Sequence, residues 1–386
     1  MRGRLLFLTT RFAPDIGGVA SSATRIAQSL ARAGYELEVY CWTRSLDAGE
    51  EAVHHHAEQV RVHRIGSFGS EDLSMQHLLT LLEDRHRAAP FTAAWGHYLL
   101  PSGYLAVLFA RLVGIPVVAS ARGNDVDRLM FPPGDFARLT WTVRSATVVT
   151  AVSGELAAKL AVVEPEAKVR VLHNAVNATV FSPDARDDDL RGTLGIPEDV
   201  PVIGFSGELR YKKGAEPLLA AFARLVAERE ARLLIIGEPR AREREHLDRL
   251  AAIDATAAER IIVTGHIDDS RAVAAHLCLC DVVVVPSLWD GLPNALLEAM
   301  ACARPVIAAA AGGIPEVLRH GVDGVLIGRG ELGRLDEALI ELLDATPEQR
   351  DALGAAARER VCTSFTPEGE DQELAAVLDG IASTSS

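Results

Sequence analysis

The stretch Asp281-Val-Val-Val-Val-Pro286-Ser-Leu-Trp-Asp290-Gly-Leu-Pro293-Asn-Ala-Leu-Leu-Glu298-Ala-Met300 decides the fold class. It joins a wholly apolar strand to a helix, and a strand that is apolar on both faces is typical of a parallel sheet covered by helices. Apolar, β-rich runs alternate with helical patterns in the same way along the chain. This alternation predicts an α/β protein built from doubly wound parallel sheets.

The strand candidates form two series, which predict two Rossmann-like domains facing a cleft. The candidate strands are 5–9, 37–42, 60–65, 116–120, 147–152 and 169–173, then 202–206, 233–237, 261–265, 281–286, 305–309 and 324–327. The candidate helices are 21–33, 101–113, 215–229, 293–302 and 333–344. A polar run with a proline after Ser182 predicts domains over 1–182 and 183–365. A helix within 366–386 would pack on either domain, the N-terminal one included.

Composition excludes several classes of protein. The 386 residues carry 39 Lys+Arg against 53 Asp+Glu, a net charge of −14, which argues against nucleic acid as a partner. No segment has the roughly 20 uncharged apolar residues of a membrane span. The N-terminus has too short an apolar core for a signal peptide, so we expect a cytoplasmic protein. Residues 1–175 are close to neutral, which leaves contact with the inner face of a membrane open.

Cysteines and histidines show no metal pattern. The five cysteines have no paired ligand spacing, and an odd number in a chain without a signal indicates reduced thiols. They are Cys41, Cys278, Cys280, Cys302 and Cys362. The run His54-His55-His56 lies between charged residues and predicts an exposed connection. No metal site is predicted.

The ligand of the second domain is expected to be an anion. No strand is followed by Gly-x-Gly-x-x-Gly, which excludes the usual dinucleotide loop. Pro293 instead predicts the first turn of a helix whose N–H groups at 294–296 form an anion site. Asp290 precedes this helix and Glu298 lies just over a turn inside it, so both carboxylates suit sugar hydroxyls.

This stretch resembles the acidic-x7-acidic motif of the family-4 retaining glycosyltransferases, which have the GT-B fold. Gly312-Gly-Ile-Pro-Glu316-Val and Gly321-Val-Asp-Gly-Val are similar to the segments that follow it in that family. The resemblance implies that Asp290 contacts the donor sugar and Glu298 the nucleotide ribose. Asp290 is a departure, because the family usually has Glu there.

The segment Gly207-Glu208-Leu-Arg210-Tyr-Lys-Lys213-Gly214 continues the resemblance. A leaving nucleoside diphosphate gains negative charge, and Lys213 with Arg210 would neutralise it in place of a metal ion. Glu208 stands where the family has Arg, so Arg210, two residues later, would take that role. The catalytic prediction is therefore Asp290, Glu298, Arg210 and Lys213, without a cofactor.

The remaining predicted residues bind the donor or lie on the sugar and acceptor side. The donor-binding prediction comprises Gly17, Gly18, Gly207, Gly291, Leu292, Pro293, Asn294, Ala295, Leu296 and His266. The sugar and acceptor side comprises His97, Arg122 and Asp125. Many relatives carry His-Gly-x-Asp at 122–125, and Arg122 cannot replace a histidine as a general base because it stays protonated. It would bind an anionic acceptor, a carboxylate-bearing sugar or the donor phosphate, or else form a salt bridge with Asp125 or Asp127.

The resemblance implies a retaining glycosyltransferase that moves a sugar from a UDP- or GDP-sugar to an acceptor hydroxyl. The acceptor would be a glycan, a lipid-linked precursor or a small molecule. Two alternatives stay open: a GT-B protein that binds sugar nucleotides without transfer, and a nucleotide-sugar epimerase on the same fold.

Overall fold

The computed structural model describes residues 2–382, which form two compact units. The first contains residues 2–174 and 368–382, and the second contains residues 175–367. The change of unit after Asn174 precedes the boundary that the sequence predicted after Ser182. Among residues 2–382, no helix is long and apolar enough to cross a membrane.

An eight-stranded sheet forms the centre of the first unit. Its strands are β1 Gly3–Thr9, β2 Tyr35–Thr43, β3 Glu51–Ala57, β4 Val60–Gly66, β5 Ala93–His97, β6 Val117–Ala121, β7 Val148–Ala151 and β8 Val169–Val171. Their order is β3-β4-β2-β1-β5-β6-β7-β8, and all neighbours are parallel except β3 and β4. The helices that follow these strands are α1 Gly18–Arg32, α2 Glu71–Ala88, α3 Tyr104–Val113, α4 Asn124–Leu129, α5 Pro133–Ser145 and α6 Gly154–Val163.

Two strands of this sheet depart from the sequence prediction. The prediction of an exposed connection at His54-His55-His56 is wrong, because these residues lie in β3, which pairs antiparallel with β4 at the sheet edge. Strand β5 was not predicted, and it lies in the middle of the sheet. Neither strand has a long run of β-branched residues, so pairing with a neighbour rather than local propensity forms them.

The second unit is built on a six-stranded parallel sheet. Its strands are β9 Val202–Ser206, β10 Arg232–Ile236, β11 Ile261–Val263, β12 Val282–Val285, β13 Val306–Ala309 and β14 Val325–Ile327. All six were predicted from their apolar runs. The helices of this unit are α7 Leu190–Thr193, α8 Ala215–Glu228, α9 Ala241–Ile253, α10 Ala255–Glu259, α11 Ser270–Leu279, α12 Asn294–Ala301, α13 Ile314–Val317, α14 Leu335–Asp344 and α15 Pro347–Ser364.

The order of strands reverses once in each sheet. In the second unit the order is β11-β10-β9-β12-β13-β14, so the chain leaves β9 in one direction and β12 in the other. In the first unit the corresponding neighbours are β1 and β5. The loops after such a pair diverge to opposite faces, which opens a crevice at the carboxyl ends of the strands. These two positions are where each unit is expected to bind ligands.

The last helix, α16 (Pro367–Ala382), completes the core of the first unit. Its buried side chains Leu374, Val377, Leu378 and Ile381 share one helical face and join the cluster that contains β1 and α1. Ion pairs hold the polar side, with Arg25 Nε 2.6 Å from the Glu370 carboxylate and Arg32 Nη2 2.8 Å from the Asp371 carboxylate. The C-terminal segment is therefore part of the first unit.

We predict that Leu374→Ala lowers the free energy of unfolding by about 2–5 kcal/mol, because Leu374 is fully buried and its loss leaves a cavity. Urea denaturation would measure the change. The control is Gln372→Ala on the exposed side of the same helix, which should stay within about 0.5 kcal/mol of wild type. Equal losses for the two variants would show that α16 does not contribute to the core.

Candidate functional site

The predicted catalytic residues of the second unit lie on the two loops that diverge at its strand reversal. Strands β9 and β12 are hydrogen-bonded neighbours, with Gly204 opposite Val283. Lys213 lies on the loop after β9, and Asp290 lies on the loop after β12. The fold thus brings together two side chains that are 77 residues apart in the chain.

Lys213 and Asp290 form an ion pair between Nζ and Oδ2. Both side chains are mostly buried, at 20% and 15% exposure. The other carboxylate oxygen, Oδ1, accepts a hydrogen bond from the N–H of Gly291 at 3.0 Å. Burial acts to raise the pKa of Asp290, but the charges of Lys213 and Lys212 and the hydrogen bonds outweigh it and hold the pKa below its ordinary value. Asp290 is therefore a carboxylate at neutral pH.

Backbone contacts fix the two loops against each other. The carbonyl of Lys212 accepts hydrogen bonds from the N–H groups of Leu288 at 2.9 Å and Trp289 at 3.4 Å. Gly214 has a φ of +80°, and a Cβ there would lie 2.0 Å from the carbonyl oxygen of Pro286. Only glycine permits this approach, so the glycine after Lys213 sets the distance between the loops.

A third loop, which follows β13, packs against the backbone of Asp290. Gly312 has a φ of +56°, and a Cβ there would lie 1.9 Å from the carbonyl oxygen of Asp290. The N–H of Gly313 donates a hydrogen bond of 2.5 Å to the carbonyl of Gly291. The glycine pair of the Gly312-Gly-Ile-Pro segment therefore holds the Asp290 loop in place, a function that the sequence motif did not reveal.

Arg210 lies on the same loop as Lys213 and contacts the residue that departs from the family pattern. Its Nη1 is 3.1 Å from Oε2 of Glu208, and its buried Nε has no hydrogen-bond partner among residues 2–382. Glu208 also accepts a hydrogen bond of 2.7 Å from Nε of Arg240, in the loop after β10. Glu208 thus gathers two arginines at the carboxyl edge of the sheet, and Arg240 was not predicted.

The N-terminus of α12 differs in detail from the prediction. Pro293 caps the helix with an extended backbone rather than forming its first turn, and the helix begins at Asn294. The N–H of Leu296 is taken by the carbonyl of Pro293 at 3.2 Å, so the predicted set of three open N–H groups is wrong. Within the described chain, those of Asn294 and Ala295 keep no acceptor. The first turn of the helix is therefore tight, with a bond between residues three apart that uses the Pro293 carbonyl.

Two buried polar side-chain atoms without partners in the described chain lie on the loop after β12 and at the start of α12. Among the described residues, the buried Oδ1 of Asn294 and the buried Oγ of Ser287 lack hydrogen bonds. Buried polar atoms in folded proteins almost always bond a protein group or an ordered water, so these two atoms are candidates to bond a polar ligand or a water. Glu298 is half-buried one turn further along α12, and Gly291 and Leu292 are buried in the preceding loop.

Two exposed aromatic side chains stand beside the ion pair. The rings of Tyr211 and Trp289 have centroids 6.0 Å apart and are 41% and 46% exposed. Arg242 lies over Tyr211 at 5.3 Å from its ring centroid. Such rings offer a flat apolar surface for a base or a sugar face. Neither ring was predicted from the sequence, although each adjoins a predicted site residue.

The remaining donor-side predictions lie further from Asp290. His266 follows the edge strand β11, and its Nε2 is 2.9 Å from Oδ1 of Asp268. Gly207 follows β9 and has a φ of +115°, and its N–H donates to the carbonyl of Ile236 at 2.9 Å. The structure does not bring His266 beside the ion pair, because two strands separate β11 from β12.

In the first unit, the predicted glycines and His97 lie at the reversal between β1 and β5. Gly17 caps α1 with a φ of +115°, Gly18 begins the helix, and a Cβ on either would meet no atom within 4 Å. His97 ends β5 and is fully buried, with Nε2 2.9 Å from Oγ of Ser22 on α1. Burial, with the nearby Arg122 and Arg25, holds the pKa of His97 well below its ordinary value, so the ring is neutral.

Arg122 and Asp125 follow β6, the next strand of the sheet. The Asp125 carboxylate accepts the backbone N–H groups of Leu99, Arg122 and Gly123 at 2.9–3.3 Å. The guanidinium of Arg122 donates from Nη2 to Oδ1 of Asn174. The predicted salt bridge from Arg122 to Asp125 or Asp127 is therefore wrong. The Asp125 carboxylate holds the backbone of the turn, and the Arg122 guanidinium bonds Asn174 instead.

No group of three or more His, Cys, Asp or Glu side chains within residues 2–382 has the geometry of a metal site. The charged groups that the two units place at their strand reversals are instead arginines, a lysine and single carboxylates.

Comparison with known proteins assigns the family. The model of "Glycosyltransferase Family 4" matches residues 16–180, and the model of "Glycosyl transferases group 1" matches residues 200–345. D-inositol 3-phosphate glycosyltransferase from Kineococcus radiotolerans is 30% identical, over 90% of this chain and 86% of its own. The chain belongs to the family-4 glycosyltransferases.

Two further similarities extend over nearly the whole glycosyltransferase. N-acetyl-alpha-D-glucosaminyl L-malate synthase from Bacillus anthracis is 26% identical over 92% of both chains. The solved structure of Anabaena Alr3699/HepE superimposes with a TM-score of 0.78 at 19% identity, covering 98% of this chain and 100% of that one. The two doubly wound units are thus the Rossmann-like domains of a GT-B fold, as the sequence predicted, and the protein is a glycosyltransferase.

We predict that Gly312→Ala destabilises the glycosyltransferase more than Gly321→Ala. Both glycines have a left-handed backbone, which costs an alanine roughly 1–2 kcal/mol. A Cβ at Gly312 also collides with the Asp290 carbonyl, whereas one at Gly321 meets open space. Urea denaturation of the two variants isolates the collision, and equal losses would mean that the Asp290 loop moves freely away.

A second prediction concerns the effect of low pH on the stability that the Lys213–Asp290 pair contributes. Because the pKa of Asp290 is depressed in the folded protein, the ion pair contributes stability above the unfolded-state pKa of about 4. That contribution is lost as the pH falls through the lower folded-state pKa. We expect the difference in unfolding free energy between wild type and Asp290→Asn to shrink on acidification below pH ~4. Denaturation at a series of pH values measures it, and a constant difference would contradict the depressed pKa.

Proposed function

We propose that this glycosyltransferase moves a sugar from a nucleotide-sugar to an acceptor hydroxyl, with retention of anomeric configuration and without a metal ion. The observation that carries the proposal is the Lys213–Asp290 pair, which lies at the strand reversal of the second unit beside the N-terminus of α12. This position combines a cation, a carboxylate and open N–H groups, which suit a diphosphate, a sugar hydroxyl and a phosphate oxygen respectively.

The cations of the β9 loop would stabilise the leaving group. As the bond between the anomeric carbon and the phosphate oxygen breaks, the diphosphate gains negative charge. Lys213 and Arg210 lie on one loop, and the partnerless Nε of Arg210 provides a further donor for a phosphate oxygen. The N-terminus of α12 adds the positive end of a helix dipole. Together they would supply the charge stabilisation for which other enzymes use a metal ion.

Asp290 and Glu298 would bind the two sugars of the donor. A bound diphosphate competes with Asp290 for Lys213, which frees the Asp290 carboxylate to accept a hydrogen bond from the transferred sugar. Glu298 lies further along α12 and would accept hydrogen bonds from the ribose. The shorter Asp290 reaches less far than a glutamate, but its backbone is held by Gly312 and Gly313. The position of this loop would therefore determine which hydroxyl of the transferred sugar bonds to Asp290.

Retention is proposed from the resemblance to the family-4 retaining glycosyltransferases, and the residues of the site bear on how it would occur. A double displacement needs a carboxylate nucleophile in addition to an acid or base about 5 Å away. With Asp290 assigned to a hydroxyl of the transferred sugar and Glu298 to the ribose, neither carboxylate is left as a nucleophile, and we propose attack from the face that the leaving group vacates. The acceptor oxygen bonds to the anomeric carbon while its proton passes to the departing phosphate oxygen. The protein would position the substrates and stabilise charge.

Similar proteins support the two substrate classes. Alr3699/HepE was solved in complex with UDP-glucose, which supports a UDP-sugar ahead of a GDP-sugar. The names of two relatives contain L-malate and D-inositol 3-phosphate. These are small hydroxylated molecules, so we propose a small polar acceptor rather than a polysaccharide or a lipid-linked glycan.

We predict that Lys213→Ala lowers kcat by on the order of 100- to 1000-fold, because the leaving group loses its main cation. Glu298→Ala should chiefly weaken donor binding. Isothermal titration with UDP and assays with UDP-, GDP- and ADP-sugars would measure both. Lys212→Ala, which removes a charge from the same turn but leaves the Lys213–Asp290 pair in place, is the matched control.

The same assays separate the alternatives. Donor binding with neither transfer nor slow donor hydrolysis would favour a binding protein, and interconversion of the donor sugar without acceptor would favour an epimerase. If Lys213→Ala and Glu298→Ala both behaved like Lys212→Ala, the assignment of the site would be wrong.

A further inference from the structure

Arg122 is a buried cation whose hydrogen-bonding capacity is only partly used. The residue is 8% exposed and follows β6 in the first unit. Its Nη2 donates to Oδ1 of Asn174, whereas its Nη1 has no acceptor anywhere in residues 2–382. A buried guanidinium N–H without an acceptor is costly, so an unused Nη1 indicates that something outside this chain satisfies it.

A second arginine converges on the same amide. Arg25 on α1 donates from Nη2 to Oδ1 of Asn174 at 2.9 Å, so two guanidinium groups share one neutral acceptor. Arg25 also bonds Glu370 through Nε at 2.6 Å and Nη2 at 2.9 Å. Glu370 is thus engaged by Arg25, and Arg122 is left without a hydrogen-bonded carboxylate in this cluster.

The nearest acid in sequence does not compensate Arg122. Asp125 directs its carboxylate to three backbone N–H groups, including that of Arg122 itself, and the described chain shows no bond from Asp125 to the guanidinium. Burial first, and then the charge of Arg25, lower the pKa of Arg122 to about 10. Arg122 nevertheless remains charged at neutral pH.

A second polar atom without a partner lies on the adjacent strand. His97 ends β5, which pairs with β6 through His97 and Ser120 two residues before Arg122. Its Nε2 contacts Ser22, while its Nδ1 is buried and has no partner within the described residues. The carboxyl edge of two neighbouring strands therefore presents a guanidinium nitrogen and an imidazole nitrogen that are both unsatisfied.

We propose that Arg122, with Arg25 behind it, binds a carboxylate or phosphate group on either the transferred sugar or the acceptor, a proposal that rests on the proposed function. An anion would give Nη1 a charged acceptor and would oppose the repulsion between the two guanidinium groups. His97 Nδ1 would bond the adjoining hydroxyl of the same substrate. The substrate class is thus an anionic sugar or an anionic polyol, and Arg122 is the specificity-determining residue.

Matched pairs of charged and neutral ligands test the proposal. They also show whether the anionic group belongs to the donor or to the acceptor. The donor arm compares UDP-glucuronate with UDP-glucose, which differ only in the carboxylate at C6. The acceptor arm compares myo-inositol 1-phosphate with myo-inositol, and L-malate with its diamide, each with saturating UDP. Isothermal titration gives the ratio of affinities in every pair for wild type, Arg122→Gln and Asn174→Asp. Arg128→Gln, an exposed arginine on α4, is the control.

In wild type we expect the charged member of one arm to bind on the order of 10- to 100-fold more tightly than its neutral counterpart. Arg122→Gln should abolish that ratio, and Arg128→Gln should retain it. Asn174→Asp places a carboxylate against both guanidinium groups, so it should also abolish the ratio while raising the melting temperature. A purely structural Arg122 would tolerate Asn174→Asp without a change in ligand preference.

Equal affinities for charged and neutral members in both arms would overturn the proposal, as would a preference that Arg122→Gln leaves intact. Loss of UDP binding in Arg122→Gln as large as the loss of the charged ligand would indicate general damage, and would overturn it too. The proposed function fails separately, if wild type binds neither UDP nor any UDP-sugar or if Lys213→Ala transfers the sugar as fast as wild type.

Discussion

In a parallel sheet every strand ends at the carboxyl edge, so the loops that follow the strands all lie at that edge. This constraint underlies both candidate sites. Because β9 and β12 are neighbours whose connections leave in opposite directions, the loops that carry Lys213 and Asp290 must meet at one edge. The same reversal between β1 and β5 brings α1 beside His97. Residues far apart in the chain thereby become neighbours, and the site is a consequence of strand order.

Gly214 and Gly312 allow these loops to approach one another closely, because glycine has no Cβ. A Cβ at Gly214 would overlap the Pro286 carbonyl, and one at Gly312 would overlap the Asp290 carbonyl. The backbone carbonyls and N–H groups of the loops then bond to one another, and the side chains of Lys213 and Asp290 pair with each other. A backbone held in this way keeps the ion pair at a fixed position, and the proposed exchange of its internal contact for a substrate contact depends on that position.

Charge is distributed differently at the two candidate sites. In the second, cations are paired with carboxylates in this structure, as in Lys213–Asp290 and Arg210–Glu208. In the first, Arg122 is buried against an amide and a second arginine. The overall charge of −14 conceals both arrangements, because net charge excludes a polyanion such as nucleic acid but does not exclude a bound phosphate or carboxylate.

The sequence by itself determined the α/β class, all six strands of the second unit and the motif residues around Asp290 and Lys213, because apolar runs, prolines and glycines act locally. Only the tertiary structure decided that β3 and β5 form strands, that α16 completes the first core, that Leu296 loses its open N–H and that Arg122 bonds Asn174 rather than Asp125. Each of these depends on contact with residues distant in the chain. Propensity and spacing describe neighbours along the chain, whereas a partner across the sheet is chosen by strand order and by burial.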